Sequence, residues 1–451
     1  MIAGELARLS LAAASDLVRR RELSPPELTV ACLQRIDQVE PRINAFITLM
    51  RDEALQAAKQ AEAEIAAGNY RGPLHGIPVA VKDLFATAGV RTTAGSRILA
   101  DNVPAEDSEP VARLKAAGAV ILGKLNLHEF AFGATGVNPH YGLARNPWDT
   151  GRITGGSSSG AGAAVAAGEC PAALGTDTGG SIRIPAALCG VVGLKPTFGR
   201  VSRRGVIPLS WALDHVGPLT RTVEDTAIVL GAIAGHDAGD PSSSAEPVPD
   251  YRAALGEGVH GLRVGVPREY FFDGVDAEVL EAVRAAIEVL RELGAVVREV
   301  SLPHIAEAQA AVTAIMLPEA LAYHQRWLAE RPQDYGEDIR RRLQLALPIP
   351  AVHYVQAQRL RELMAGEWRR EVFDKVDILA TPAAAVPAAP IEQGELQTTM
   401  SLVRFTNPFN LLGVPAVSVP CGFTRAGLPV GLQLAGRWFD EATVLRAAHA
   451  Y

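Results

Sequence analysis

Apolar residues recur at helical spacing through the first 70 residues. Between residues 25 and 40, Leu28, Ala31, Cys32, Ile36 and Val39 form an apolar stripe. That spacing is typical of an amphipathic helix. Ser24, two prolines and Glu27 form a capping box at its start, and Pro41 is expected to end it. A second helix is predicted over residues 51–67. Residues 1–70 therefore predict a helical layer without chemistry of its own.

From residue 73 onward, short apolar runs alternate with helical patterns. Runs typical of buried strands lie at residues 73–85, 119–123, 261–267, 295–300, 378–382, 416–420 and 428–435. Helical patterns occupy residues 112–118, 161–167, 222–234, 277–293 and most of 304–373, and another starts at residue 441. Residues 200–208 and 214–219 are interpreted as loops. This alternation predicts an α/β fold, with one large mixed β-sheet covered by helices on both faces.

Composition and charge narrow the class of protein. Of the 451 residues, 48% are hydrophobic and 21% are charged, as in an ordinary globular chain with ample core. A net charge of -7 and a pI near 5.9 argue against a nucleic-acid-binding surface. The four cysteines lack CxxC spacing and indicate free thiols in a reducing compartment. No apolar run approaches the roughly 18 residues of a membrane-spanning helix, and no signal-peptide pattern is present. We therefore expect a cytoplasmic protein.

Two clusters of glycine and hydroxyl residues flank an alanine-rich segment. They read GGSSSG at residues 155–160 and TDTGGS at residues 176–181. Glycines beside a serine remove Cβ atoms from the path of an approaching substrate, and they permit unusual backbone angles. Such a loop can present backbone N–H groups to a developing negative charge. Either cluster alone is equally typical of an ordinary loop, but the pair suggests a catalytic site.

Lys82 ends an apolar run and precedes Asp83. A lysine in such a place usually forms a structural ion pair. Burial would, however, lower its pKa and leave neutral amine able to act as a base. Together with Ser157 and Ser181 it would support acyl transfer. Ser181 would attack a carbonyl, and the lysine would take the proton through a bridging serine hydroxyl.

Other chemistries fit the sequence less well. GSSSG at residues 156–160 matches a nucleophile elbow with Ser158 as nucleophile, but an elbow needs a preceding strand, and residues 145–152 are turn-like. His128 and Glu129 belong to no HExxH pattern, which favours a capping or core histidine over a metal ligand. The chain has no phosphate loop and no GxGxxG fingerprint. We therefore expect no metal and no cofactor.

Five longer blocks resemble the amidase signature family. They are HGIPVAVKDLF from residue 75, LNLHEFAFG from residue 125, GGSSSGAGAAVAAG from residue 155, LGTDTGGSIRIPAALCGVVGLKPTFGRVS from residue 174 and NLLGVPAVSVPCGFTRAGLPVGLQLAG from residue 410. The resemblance spans nearly the whole chain and is nearest to free-standing amidases related to the A-subunit of glutamyl-tRNA amidotransferase. It implies one domain over residues 1–451. Within it, residues 71–235 would form the catalytic core, residues 260–375 a mostly helical cleft region, and residues 376–451 the strands that complete the sheet.

The resemblance also implies a role for each site residue. Ser181 would be the acyl nucleophile, Ser157 the bridging serine after a cis peptide bond, and Lys82 the terminal base. The oxyanion hole would be formed by the backbone N–H groups of Thr178, Gly179, Gly180 and Ser181. The side chains that would brace the site are Ser158, Asp177 and Arg183. The usual GGSSGGS of the family reads GGSSSGA here, but Ser159 and Ala161 carry no triad role.

The candidate substrate contacts are Phe132, Gly133 and Arg204. In the amidotransferase A-subunit, an acidic residue shortly before Phe-Thr-x-Pro helps to hold the ammonium group of glutamine. The aligned residue here is Val403, and an apolar side chain cannot pair with an ammonium.

We therefore expect a serine hydrolase that cleaves amide C–N bonds through an acyl-enzyme. Its expected substrates are apolar or aryl amides, with carbamates (urethanes) or urea derivatives also plausible. We expect a monomer or homodimer without a direct nucleic-acid or membrane partner. The alternative is the glutaminase subunit of a tRNA-dependent amidotransferase.

Overall fold

The computed structural model describes residues 3–393 and 395–451. The strands are β1 Phe46–Leu49, β2 Pro78–Lys82, β3 Val120–Leu125, β4 Ala172–Asp177, β5 Val192–Lys195, β6 His215–Thr220, β7 Arg263–Pro267, β8 Val296–Val300, β9 Ile378–Pro382, β10 Ala416–Phe423 and β11 Pro429–Gly436. The α-helices are α1 Ala3–Leu6, α2 Leu11–Arg19, α3 Pro25–Ile43, α4 Arg51–Ala66, α5 Glu109–Ala116, α6 Ser159–Ala167, α7 Arg183–Cys189, α8 Val223–Ile233, α9 Ala277–Glu292, α10 Ala308–Glu330, α11 Glu337–Ala346, α12 Ala351–Glu367, α13 Glu395–Val403, α14 Asn407–Leu412 and α15 Glu441–Ala450. Short 3₁₀ turns lie at Arg97–Leu99, Glu129–Ala131, Leu255–Glu257, Ile305–Glu307 and Pro332–Asp334, and α12 runs on into a π-turn at Trp368–Val372.

All of these strands join one mixed sheet, as the sequence predicts. Their order is β1-β3-β2-β4-β6-β5-β10-β11-β9-β7-β8. The β2–β3, β2–β4, β7–β8 and β7–β9 pairs are parallel, and the other pairs are antiparallel.

Helices cover both faces of the sheet. Val79 and Val81 of β2 pack into a core formed with helices such as α8, α9 and α15. Ala80, between them, points to the opposite core with α3 and α6. Successive side chains of a strand alternate between the two faces of a sheet, and a strand buried on both faces is therefore continuously apolar. The predicted fold class is confirmed.

The N-terminal layer departs from prediction at two points. Ser24 caps α3 and forms the expected capping box with Glu27. Pro41 does not end this helix, because it lies in the last turn, where few hydrogen bonds remain to be lost. Asn44, in the left-handed conformation (φ 53°), ends it instead. The four-residue strand β1 then pairs with β3, and it is too short to give an alternating signal.

Residues 215–220 form β6, where the sequence predicts a loop. This strand is central and pairs with both β4 and β5. Gly217 and Pro218 resemble turn residues, which explains the error. A Cβ at Gly217 would lie 2.1 Å from the Leu194 carbonyl oxygen, so the glycine permits close packing of the strand rather than a turn.

Helix α10 lines one side of the cavity over Ser181. Together with the preceding turn from Ile305, it has the length and composition of a membrane span, which the sequence pattern did not predict. Core helices of globular proteins share these properties, and α10 packs against α11, α12 and α14. Glu319 in its middle is buried and accepts hydrogen bonds from Ser210 Oγ and, at 2.8 Å, from Tyr354 Oη.

Candidate active site

Lys82 stands at the C-terminal end of β2 and is fully buried. Its Nζ donates to Ser157 Oγ at 2.7 Å and to Thr176 Oγ1 at 2.8 Å. Burial lowers the pKa of the lysine to about 7, although the carboxylates of Asp177 and Asp214 oppose the shift. Near neutral pH a large fraction of the amine is thus unprotonated and able to accept a proton.

Asp83 pairs with a different lysine. Its Oδ1 lies 3.2 Å from Lys124 Nζ in a fully buried pair. The Asp83 carboxylate also accepts from the backbone N–H of Thr93 at 2.8 Å. The structural ion pair that the sequence allowed for Lys82 is therefore formed by Lys124, and Lys82 stays free to face the serines.

Ser157 and Ser158 lie just before α6, and the Gly156–Ser157 peptide is cis. Ser158 Oγ donates to the Thr176 carbonyl at 3.2 Å and lies 3.3 Å from the Thr176 N–H. This hydroxyl therefore ties α6 to β4 and is not presented to a substrate. No strand precedes the cluster within residues 126–156, so the elbow alternative lacks its strand.

The loop that joins β4 to α7 carries Ser181. The Ser181 carbonyl accepts from the Ser158 N–H at 3.2 Å, which brings the two serine clusters together. Among the residues that the structure describes, the N–H groups of Thr178, Gly179 and Ser181 have no acceptor. The Gly180 N–H donates to Asp177 Oδ1 at 2.8 Å, contrary to the predicted oxyanion role of this group. The free donors are thus three rather than four.

The backbone conformation of this loop depends on glycine. Gly180 has φ +129°, and a Cβ there would lie 2.2 Å from Thr406 Oγ1. That hydroxyl donates to the Gly179 carbonyl. This hydrogen bond fixes the Gly179 peptide, and a side chain at position 180 would displace the Thr406 hydroxyl that makes it.

Asp177 and Arg183 form a fully buried ion pair beneath the loop. Their closest contact joins Arg183 Nη2 to Asp177 Oδ1 at 2.9 Å. Burial alone would raise the pKa of the Asp177 carboxyl, but the charge and hydrogen bonds of Arg183 hold it below its ordinary value. Arg183 also donates to Gln433 Oε1 at 2.7 Å, and Asn410 Nδ2 donates to Asp177 Oδ1 at 2.8 Å. The pair therefore joins the loop that carries Ser181 to β11 and α14.

A cavity of about 240 Å³ opens over Ser181. Phe132 and Gly133, the candidate substrate contacts, line it. Its other apolar walls are Ala131, Ala134, Leu209, Met316, Leu317, Leu345, Met400 and Val403. The polar residues that line it, besides Ser181, are Thr178, Gln309, Thr313, Arg342, Thr399 and Asn407. The cleft is mostly apolar, and Val403 stands at its wall.

Arg204 does not line this cavity. It borders a second one of about 280 Å³, together with Thr176, Trp211 and Asp214. Two carboxylates hold its guanidinium there, because it donates to Asp237 at 2.9 Å and to Glu109. Arg204 therefore lies outside the cavity over Ser181, and its contact with a substrate stays a prediction.

Arg342 is a cleft residue that sequence reasoning missed. Its Nε donates to Asp338 at 2.9 Å and its Nη2 to Glu395 at 3.1 Å. The guanidinium lies 5.8 Å from the centre of the Phe132 ring. His128, Asp338 and Glu395 could be grouped as metal ligands, but Arg342 already compensates both carboxylates. No local pattern distinguishes Arg342 from the two arginines that precede it on α11.

Comparisons with known proteins give one consistent family. The model of the family named Amidase matches residues 27–445. The A-subunit of the glutamyl-tRNA(Gln) amidotransferase of Chloroflexus aggregans is 48% identical over 474 aligned positions, covering 99% of this chain and 96% of that protein. A chain from "an unexpected vestigial protein complex", solved in tracing the origins of an s-triazine catabolic enzyme, has a TM-score of 0.93 at 38% identity, covering 98% of both chains. A bacterial aryl acylamidase has a TM-score of 0.89 at 30% identity, covering 98% of this chain and 95% of that one.

The fold and these similarities define a hydrolase that acts on carbon–nitrogen bonds. The chain belongs to the amidase signature family. Among the relatives, some are named as amidases and others as one component of a tRNA-dependent amidotransferase.

Proposed function

We propose that the protein hydrolyses small amides through a Ser-Ser-Lys relay and an acyl-enzyme on Ser181. Ser181 Oγ forms a bond to the carbonyl carbon while its proton moves to Ser157 Oγ, and the Ser157 proton moves to Lys82 Nζ. The same relay returns a proton to the leaving nitrogen as the C–N bond breaks. Water then attacks the ester carbon, and its proton travels back to Ser181. The free N–H groups of Thr178, Gly179 and Ser181 stabilise the oxyanion.

The observation that carries this proposal is the buried hydrogen bond from Lys82 Nζ to Ser157 Oγ at 2.7 Å. A lysine with a pKa of about 7 is matched to neutral pH, because it can accept a proton and then return it. Lys82 and Ser157 are fully buried, which shields the proton relay from bulk water.

For the substrate, we propose an apolar or aryl amide, or a carbamate or urea derivative with the same shape. Val403 on the cavity wall offers no charge to an ammonium group. A cavity of about 150 Å³ holds benzene, so the cleft over Ser181 has room for one aromatic ring beside the amide. Arg342 adds a cation at the edge of the cleft, where it can donate to an acceptor on the substrate.

A second candidate is the glutaminase subunit of a tRNA-dependent amidotransferase. The 48% identity to the A-subunit of a glutamyl-tRNA(Gln) amidotransferase favours it. The apolar Val403 opposes it. Glutamine turnover, and co-purification with a tRNA-binding subunit from the source cell, separate the two functions.

The deciding experiment compares glutamine, an aryl anilide and an aryl carbamate as substrates of the purified protein. We expect the anilide or the carbamate to give the highest kcat/KM. Ser181→Ala and Lys82→Ala should each lower it by about 10³-fold or more. Ser418→Ala, which shortens another buried serine, is the control and should leave it unchanged. Full activity in Ser181→Ala would exclude this nucleophile, and preferred glutamine turnover would establish the second candidate.

The setting of the enzyme is also part of the proposal. Cys32, Cys170 and Cys189 are buried free thiols, which fit a reducing cytoplasm. We propose a monomer or homodimer that works without a cofactor, and light scattering of the purified protein measures its mass.

A further inference from the structure

Two buried carboxylates hold the segment of residues 209–214, here called the strut: Glu319, from α10, and Asp214, from the end of the segment itself. Glu319 Oε2, on α10, accepts from Ser210 Oγ and, at 3.0 Å, from the Ala212 N–H. Asp214 Oδ2 accepts from the Ser210 N–H at 3.0 Å. Side-chain and backbone donors of the strut are thus committed to these two acids, which leaves the segment little freedom to move.

The strut also contacts the catalytic loop. Thr178 Oγ1 donates to Asp214 Oδ1 at 2.6 Å in a buried contact. Thr178 is the first of the free N–H donors next to Ser181, and Leu209 at the start of the strut lines the same cavity. The contacts therefore run without a gap from α10 through the strut to the oxyanion loop.

We infer that Glu319 is a positioning residue for the oxyanion loop, acting through the strut and Thr178. This inference rests on the proposed function, because it concerns the reaction at Ser181. Met316 and Leu317 precede Glu319 on α10 and line the cavity. An acyl group that packs against them therefore contacts the helix whose carboxylate holds the strut. Glu319 should govern turnover more than binding, because it sets where the Thr178 N–H meets the developing charge.

A double-mutant cycle on the best amide substrate tests the coupling. Glu319→Gln and Thr178→Val should each lower kcat about five- to fifty-fold, less than the roughly 10²- to 10³-fold loss of a whole oxyanion donor, with KM changed less than threefold. The double variant should be no slower than the slower single variant, because both changes break the same chain of contacts. If the two losses multiply, or if only KM changes, the inference is wrong.

Glu441→Gln is the matched control. Glu441 is another fully buried carboxylate, and it accepts from the Thr197 N–H at 2.9 Å, away from the strut. Its effect on kcat should multiply with that of Thr178→Val. Non-additivity of the same size in this pair would show a general loss of packing and would overturn the inference.

Hydrogen exchange measured by mass spectrometry gives a readout that needs no activity. In Glu319→Gln, peptides covering residues 176–182 and 209–214 should exchange faster than in the wild type, and in Glu441→Gln they should not. If Glu319→Gln fails to fold, Ser210→Ala removes one donor to the same carboxylate and is measured in its place. Unchanged exchange in both peptides refutes the positioning role even if the protein cleaves no amide. If the wild-type protein hydrolyses no amide, the proposed function is refuted instead.

Discussion

Replacing Thr176 by valine tests how the protein tunes Lys82. Valine keeps the shape of threonine but removes the Oγ1 atom that accepts from Lys82 Nζ at 2.8 Å. A hydrogen bond to a charged group contributes about 1.5–3 kcal/mol, and one between neutral groups about 0.5–1.5 kcal/mol. The change thus costs the ammonium form about 1 kcal/mol more than the amine. The pKa of Lys82 should fall by about 0.7 units.

The sign of the effect on rate follows from the proposed mechanism. Ser181 is activated only by the neutral amine, so activity should increase as pH rises through the Lys82 pKa. In a plot of kcat/KM against pH, the acidic limb of the wild type is expected near the lysine pKa of about 7. In Thr176→Val it should move to about pH 6.3, and at pH 6 the neutral fraction should rise from about 9% to about 33%. Relative to its own plateau, the variant should therefore be three- to fourfold faster at that pH.

The assay is kcat/KM for the preferred amide between pH 5.5 and 9, measured for the wild type, Thr176→Val and Thr176→Ser. The serine variant keeps a hydroxyl and should keep the wild-type limb. Circular dichroism at each pH checks that all three proteins stay folded. An acidic limb that stays in place in Thr176→Val, or that moves to higher pH, would refute the argument that this hydroxyl favours the charged lysine.

Three further changes have defined expected results. Val403→Asp should lower kcat/KM for an aryl anilide at least about tenfold because it buries a charge in the cleft, while Val403→Ala should cost less than about threefold; equal losses would contradict the apolar role. Arg183→Met leaves Asp177 without its buried partner and should lower the free energy of unfolding in urea by about 3–5 kcal/mol, whereas exposed Arg326→Met should change it by less than about 0.5 kcal/mol. Leu432→Ala, in the fully buried part of β11, should lower the free energy of unfolding by about 2–5 kcal/mol. A decrease of less than about 1 kcal/mol would show that neighbouring side chains fill the space left by the leucine.

Sequence reasoning worked where local physics decides the structure. The capping box at Ser24 and the apolar stripe of α9 are local signals, and both elements form close to the predicted bounds. It failed at β6, where Pro218 and Gly217 suggest a loop. Their strand conformation depends on the neighbouring strands β4 and β5, which no local window contains.

In the candidate site, too, the sequence shows the residues with a local signal and not those defined by distant contacts. Lys82 and the serine clusters stand out in the chain because of their composition, and the family resemblance assigned their roles. Asp214 and Arg342 carry no such mark, and nothing in the cluster at residues 176–181 singles out Thr176 as the acceptor from Lys82. Each acts through partners far away in sequence or through its place on a cavity wall. The sequence could not assign Arg204 to a cavity, because one loop arginine resembles another until its carboxylate partners are known.

The ion pair beneath the catalytic loop has a consequence for the order in which the protein matures. Arg183 donates to the Thr406 carbonyl, to Asn410 and to Gln433, and Asp177 accepts from Asn410; these partners lie at least 223 residues later in the chain. Synthesis proceeds from the N-terminus, so Lys82, Ser157 and Ser181 leave the ribosome long before those partners do. We expect a truncated polypeptide that stops near residue 400 to contain every reactive side chain and still be inert, because its Arg183 guanidinium would lack three of its acceptors.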